Sequence, residues 1–146
     1  MILIFGIGNT LRRDDGAGWI FAEALADTLR HAGAPVHLEL HQQLTPELAM
    51  VIAEAQPATV VFVDAGIAIT SAAIESLLDE IAAASPATHS LSPAALLTMA
   101  RRLYDVTARG WLVQTPAEDF DHGEGLSPLA LRGLRDVESI ASTLLS

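Results

Sequence analysis

Two reactive side chains are missing from this 146-residue sequence, which contains no cysteine and, among its eight basic residues, no lysine. The lack of cysteine excludes disulfide cross-links, a thiolate nucleophile and zinc–thiolate ligation. The lack of lysine excludes Schiff-base chemistry and the phosphate-binding lysine of a P-loop. A Gly-x-Ser-x-Gly nucleophile elbow is also absent, which argues against a covalent acyl-enzyme. Carboxylate and imidazole groups are therefore the side chains to consider for chemistry.

Positive charge and long apolar runs are also scarce. The formal net charge is −10 at pH 7, which disfavours binding to nucleic acid or to an anionic membrane, since both depend on basic clusters. No apolar run approaches the length of a membrane span. We therefore expect one soluble, cytoplasmic domain over residues 1–146, whose partners are neutral, cationic or metal-bearing.

Short apolar runs recur along the chain at intervals long enough for a helix between them. They occupy residues 2–5, 36–40, 59–63 and 111–113. Runs that are apolar on all sides are typical of parallel strands buried on both faces, and we expect 2–5 and 59–63 to be adjacent central strands. The sequence predicts an α/β fold with three layers, α/β/α, around a mainly parallel twisted sheet.

Helix starts are marked by hydroxyl–proline pairs, in which the hydroxyl residue would cap the helix and proline would occupy its first turn. The pairs are Thr45-Pro46, Ser92-Pro93 and Ser127-Pro128. The last two open segments with apolar residues at helical intervals, predicted to face the core: Leu96, Met99, Ala100 and Leu103 in one, Leu134, Val137, Ala141 and Leu144 in the other. Residues 72–78 resemble a short strand, and the alanine-rich sequence through Ala84 predicts a helical turn after it.

The segment 6–18 joins the first strand to a helical pattern at 19–29 and contains two adjacent carboxylates. Gly6 and Gly8 resemble a dinucleotide-binding fingerprint, but the third glycine of that fingerprint is missing at Leu11. Asp14 and Asp15 would repel a phosphate at the start of the helix. The segment therefore indicates a cation site rather than a nucleotide site.

A further carboxylate and an imidazole are predicted to reach the same edge of the sheet. Asp64 follows the third apolar run, and in a doubly wound sheet that strand and the first one commonly flank the switch point where sites form. His89 lies on a loop before the helix that starts at Ser92. Carboxylates and imidazole without thiolate suit a borderline divalent ion such as nickel, zinc or manganese. Each residue alone also has an ordinary role, as helix cap, turn residue or loop histidine, so the prediction depends on their coincidence.

A non-catalytic alternative shares part of this pattern. A response-regulator receiver, or a related α/β binding module, also carries an acidic pair after its first strand and an aspartate after its third. The receiver needs a lysine after its fifth strand, however, and would give His89 no role. The missing lysine argues against this alternative.

Four sequence blocks, in order, closely resemble the nickel-iron hydrogenase maturation endopeptidases over nearly the whole chain. The blocks are Gly6-Ile7-Gly8-Asn9-Thr10-Leu11 through Asp14-Asp15-Gly16-Ala17-Gly18, then Val63-Asp64-Ala65, then Thr88-His89-Ser90-Leu91 with Ser92-Pro93, and Gly125-Leu126-Ser127-Pro128. The resemblance implies an aspartic-type endopeptidase that removes a C-terminal extension from a hydrogenase large-subunit precursor after nickel insertion. It also implies that Asp15, Asp64 and His89 bind the metal and carry out catalysis. Asp15 is chosen over Asp14 because it directly precedes the Gly-Ala-Gly segment.

The nickel is expected to come with the precursor rather than to be bound tightly by the free enzyme, because two carboxylates and one imidazole make an incomplete ligand set. Two mechanisms remain open: the metal activates the scissile carbonyl or a water, or a carboxylate acts as general base on water while the metal serves recognition. One segment departs from the family. Residues 41–48 replace the Asp-Gly-Gly-Thr type loop of many members, and His41 there is interpreted as a surface or strand-end histidine rather than a fourth polar contact of the site.

Overall fold

The computed structural model describes residues 1–78 and 91–146. Within these residues five strands form one sheet, and five α-helices and two short 3-10 turns join them. The strands are β1 (Ile2–Ile7), β2 (Val36–His41), β3 (Thr59–Ile67), β4 (Ala73–Ser76) and β5 (Arg109–Ala117). The helices are α1 (Ala17–His31), α2 (Leu48–Ala55), α3 (Pro93–Tyr104), α4 (Pro128–Gly133) and α5 (Val137–Leu145).

The sheet has the order β2-β1-β3-β5-β4 and is mainly parallel. β1 pairs in parallel with β2 on one side and with β3 on the other, and β5 continues the parallel sheet beyond β3. β4 pairs antiparallel with β5 at the edge. The predicted adjacency of the first and third apolar runs is thereby confirmed. β3 and β5 both extend beyond the predicted runs, to Ile67 and Ala117.

Helices cover both faces of the sheet, because consecutive residues of each central strand point to opposite sides. Leu3 and Phe5 of β1 belong to the core on the face covered by α2 and α3. Ile4, between them, belongs to the core on the face covered by α1 and α5. The predicted three-layer α/β/α architecture is confirmed.

Two of the three predicted helix starts are confirmed. The hydroxyl oxygens of Ser92 and Ser127 accept hydrogen bonds from the amides of Ala95 and Ala130, at 3.1 and 3.2 Å. The Thr45-Pro46 start is wrong, because α2 begins at Leu48. The carbonyl of Thr45 accepts from the Leu48 amide at 3.1 Å, which closes a tight turn before the helix instead of capping it.

The residues predicted to face the core in the later helices do so except at Leu103. The segment after Ser127 is divided into two helices rather than one. Leu103 is 66% exposed, whereas Ala100, one turn earlier in α3, is fully buried. The core contact of α3 therefore ends before its last turn. The segment after Ser127 is also interrupted: α4 ends at Gly133 and a 3-10 turn, Leu134–Asp136, precedes α5. A Cβ at Gly133 would lie 2.7 Å from the Pro116 side chain, so the helix meets β5 at this point.

The short strand predicted within 72–78 is confirmed as β4. The helical turn expected through Ala84 lies outside the described residues, as does His89. None of the helices in the two described ranges has the length and hydrophobicity that crossing a bilayer requires.

Candidate active site

The carboxyl ends of β1 and β3 meet the start of α1. The chain leaves β1 for β2 on one side and returns to β3 on the other, so this is the switch point where ligand sites form in doubly wound sheets. Two positions at this junction require glycine. A side chain at Gly18 would collide with the carbonyl of Ile7 and approach that of Val63 to 2.9 Å, and one at Gly8, where φ is +147°, would collide with the carbonyl of Asp15.

A cavity of about 210 Å³ opens at this junction. It is lined by the end of β1, the loop after β2, the end of β3 and the start of α3. The lining residues are Ile7, Gly8, Asp15, Gln42, Gln43, Leu44, Asp64, Leu91 and Pro93. Two of the three predicted site residues, Asp15 and Asp64, therefore share one cavity.

Asp15 lies in the 3-10 turn Arg13–Gly16 that precedes α1. Its Oδ2 accepts a hydrogen bond from the Asn9 amide at 3.0 Å, and its carbonyl oxygen accepts from the same amide at 3.2 Å. These bonds fix the residue at both its side chain and its backbone. The carboxylate keeps further acceptor capacity for a ligand in the cavity.

Asp64 lies in β3, one residue after the fully buried run that ends at Val63. Its Oδ1 accepts a hydrogen bond from the amide of Ala65 at 2.8 Å. Burial raises the pKa of Asp64, the Ala65 amide opposes that rise, and the negative charge of Asp15 adds to it, giving a pKa of about 6. The site thus holds two interacting carboxylates with different environments.

Asp14 does not line this cavity and is fully buried. Its carboxylate accepts hydrogen bonds from the amides of Glu118, Asp119 and Ser127 and from the Ser127 hydroxyl, at 2.7–3.0 Å. Burial opposes its ionisation, but the bonds from Ser127, Glu118 and Asp119 outweigh burial and lower the pKa of Asp14. The sequence did not reveal this role, because the partners of Asp14 lie more than 100 positions away in the chain.

The third predicted residue, His89, lies outside the described residues. Leu91 and Pro93, which follow it closely in sequence, line the cavity. Among the residues that the structure describes, no three metal-ligating side chains are close enough to hold an ion. Asp15 and Asp64 are two oxygen donors of such a set and fit a hard or borderline cation, but by themselves they do not complete a stable site.

The loop after β2 contributes Gln42, Gln43 and Leu44 to the cavity wall, a role that sequence reasoning did not assign to them individually. His41 ends β2, and its Nε2 lies 2.9 Å from Oε1 of Glu39. The carbonyl of His41 accepts from the Trp19 indole and from the Gly8 amide, both at 3.0 Å. His41 is therefore a strand-end residue outside the cavity wall, as interpreted from the sequence.

No protein-family model and no curated protein sequence matches the chain. Solved structures do match. A [NiFe] hydrogenase maturation protease HycI from Thermococcus kodakarensis is 28% identical, with a TM-score of 0.68, and the match covers 99% of this chain and 92% of that one.

Two further structures share the fold at lower identity. The hydrogenase maturating endopeptidase HybD from E. coli is 22% identical with a TM-score of 0.62, and the match covers 99% of this chain and 91% of that one. The [NiFe] hydrogenase maturation protease HybD from Thermococcus kodakarensis is 19% identical with a TM-score of 0.60, and 99% of each chain is covered. The protein therefore has the fold of the [NiFe] hydrogenase maturation proteases over nearly its whole length, which confirms the resemblance seen in its sequence blocks.

Proposed function

We propose that this protein is an endopeptidase that removes the C-terminal extension of a nickel-iron hydrogenase large-subunit precursor. The observation that carries the proposal is that Asp15 and Asp64 line one cavity at the β1/β3 switch point. The structural similarity to maturation proteases supports the reaction class. Because the chain contains neither cysteine nor a Gly-x-Ser-x-Gly nucleophile elbow, we propose water as the attacking group.

Asp64 is proposed as the general base. A base works best when its pKa lies slightly below the working pH, where it is ionised yet still basic enough to take a proton. In the protein without bound metal, the pKa of about 6 meets this condition at neutral pH. In the proposed step the Asp64 carboxylate takes a proton from water as the water oxygen attacks the scissile carbonyl carbon. The proton then passes to the leaving amine as the carbon–nitrogen bond breaks.

Nickel is proposed to be part of the substrate. Asp15 and Asp64, with His89 as the sequence resemblance implies, would contact the metal already seated in the precursor. The pair of oxygen donors suits a transient contact with a metal whose other ligands belong to another protein. Asp15, held by Asn9, would then orient the loaded precursor relative to Asp64.

The receiver-like alternative fits the topology poorly. Receivers have the flavodoxin-like strand order 2-1-3-4-5. Here the fourth strand in the chain, β4, lies at the edge and runs antiparallel to β5. With no lysine in the sequence, the group that completes a receiver site is missing as well.

The test is cleavage of a nickel-loaded large-subunit precursor by the wild type and by Asp15→Asn, Asp64→Asn and His89→Ala. Asparagine keeps the shape of aspartate but removes its charge and basicity, so we expect the rate to fall by roughly 10²-fold or more in each aspartate variant. Loss of the imidazole in His89→Ala should also abolish processing. Circular dichroism should show that all three variants remain folded, because Asp15 and Asp64 lie at the edge of the sheet and His89 is predicted from the sequence to lie on a loop.

Asp136→Asn is the matched control for the aspartate variants. Its carboxylate also accepts a backbone amide, from Ala72 at 2.8 Å, but it does not line the cavity. This variant should cleave at the wild-type rate. Wild-type cleavage by Asp15→Asn and Asp64→Asn would refute the catalytic assignment.

A further inference from the structure

A buried carboxylate beside the candidate active site has no part in the proposed chemistry. Asp14 is fully buried, and four hydrogen bonds converge on its two oxygens. Three of the donors are backbone amides, of Glu118, Asp119 and Ser127, more than 100 positions away in sequence. Such a carboxylate joins distant segments and leaves little acceptor capacity for a substrate.

The segments joined are the 3-10 turn before α1 and the loop that leads from β5 to α4. Backbone hydrogen bonds reinforce the junction, from the Asp14 amide to the Asp119 carbonyl at 2.8 Å and from the Arg13 amide to the Gly123 carbonyl at 2.9 Å. Arg13 has a φ of +44°, a conformation that non-glycine residues rarely adopt without support from their surroundings. The turn that carries Asp15 is therefore held from outside, by the loop that binds Asp14.

The two aspartates of this turn have different partners. Asp14 binds the loop at 118–127, whereas Asp15 lines the cavity and binds the Asn9 amide. We propose that Asp14 is a positioning residue, whose carboxylate anchors the turn so that Asp15 is presented to the cavity that holds Asp64. The effect of Asp14 on cleavage rests on the proposed function, but its effect on the placement of Asp15 does not.

Amide hydrogen exchange of the protein alone tests the placement. The Asn9 amide is bonded only to Asp15 among the described contacts, so its exchange reports on Asp15 and not on Asp14 directly. In Asp14→Asn the side-chain NH₂ would face amide donors, and the turn should open more often. We expect the Asn9 amide to exchange about tenfold faster in this variant than in the wild type.

Ser127→Ala is a milder variant, useful if Asp14→Asn does not fold. It removes one donor to Asp14, the hydroxyl at 2.7 Å, together with the cap that this hydroxyl gives α4, and it leaves the carboxylate in place. We expect the same direction of change at Asn9 with a smaller size. Asp136→Asn is the matched control, since it makes the same substitution at a carboxylate that accepts a backbone amide elsewhere, and it should leave exchange at Asn9 unchanged.

Cleavage of the nickel-loaded precursor provides the second measurement. A displacement of about 1 Å at a reacting group can cost on the order of 10²-fold in rate, so kcat should fall by about that factor in Asp14→Asn, with a smaller change in KM. Unchanged exchange at Asn9 in both variants, or unchanged kcat in a variant whose exchange is faster, would overturn the proposal. If the wild type fails to cleave the precursor, the proposed function fails and the exchange experiment still decides whether Asp14 positions Asp15.

Discussion

Two adjacent aspartates occupy opposite environments in the turn before α1. Asp14 is buried among amide donors that keep it ionised, and Asp15 lines a cavity next to Asp64. The sequence placed both residues near the sheet edge but left Asp14 without a function, because its partners come from residues 118–127 and no local pattern records them. Asp64 was predictable, since it directly follows a buried strand.

The raised pKa of Asp64 means that its ionised form lowers the stability of the folded protein. Because the folded protein holds this proton more tightly than the unfolded chain, stability contributed by Asp64 is lost as the pH rises from 3.8, the ordinary pKa of the group, to about 6, its pKa in the folded protein. Asp64→Asn should therefore raise the free energy of unfolding at pH 7, by roughly 1–3 kcal/mol.

Urea unfolding measures this change. The gain should shrink towards pH 4, where the wild-type Asp64 is protonated in the folded state. The Ala65 amide can still bond to the asparagine carbonyl, so no hydrogen bond need be lost. If the variant is no more stable than the wild type at neutral pH, burial of the ionised Asp64 carboxylate does not lower the free energy of unfolding.

At the scale of elements, local signals predicted the strands and the serine-capped helices well. Ser92 and Ser127 cap α3 and α4 through their own hydroxyls, an interaction confined to four consecutive residues. The break after α4 was not predictable in the same way, because Gly133 packs against Pro116 of β5. The helical pattern also continued to Leu103, although the contact of α3 with the sheet ends earlier.

Two leucines of α3 give a matched test of that boundary. Leu96 is fully buried and Leu103 is 66% exposed. Leu96→Ala should lower the free energy of unfolding by about 2–5 kcal/mol, since it leaves a cavity in the core. Leu103→Ala should change it by less than about 0.5 kcal/mol, measured in parallel by denaturant unfolding. Equal losses in the two variants would contradict the core boundary of α3.

For the whole molecule, the topology brings together residues that are far apart in sequence. Parallel strands β1 and β3 end at the same edge, so Asp15 and Asp64 share a cavity although 49 positions separate them. This convergence followed from the predicted order of strands. The cavity wall at Gln42, Gln43 and Leu44 did not, because the path of the loop after β2 depends on packing rather than on a motif.

We predict that cleavage of the precursor by this protein requires nickel in the precursor. We expect precursor prepared without nickel to remain uncut, because in the proposed function Asp15 and Asp64 would contact the metal only when the precursor supplies it. Titration of the free enzyme with nickel should show a dissociation constant above roughly 1 μM. Efficient cleavage of verified nickel-free precursor in the presence of a chelator would contradict this dependence while leaving the protease assignment intact.

The most direct test of the central claim is the intact mass of a nickel-loaded large-subunit precursor after incubation with the wild-type protein. The proposed function predicts the loss of one C-terminal peptide and a single new C-terminus, with a precursor mass that stays constant in the Asp64→Asn reaction. An unchanged precursor mass in the presence of folded wild-type protein would contradict it.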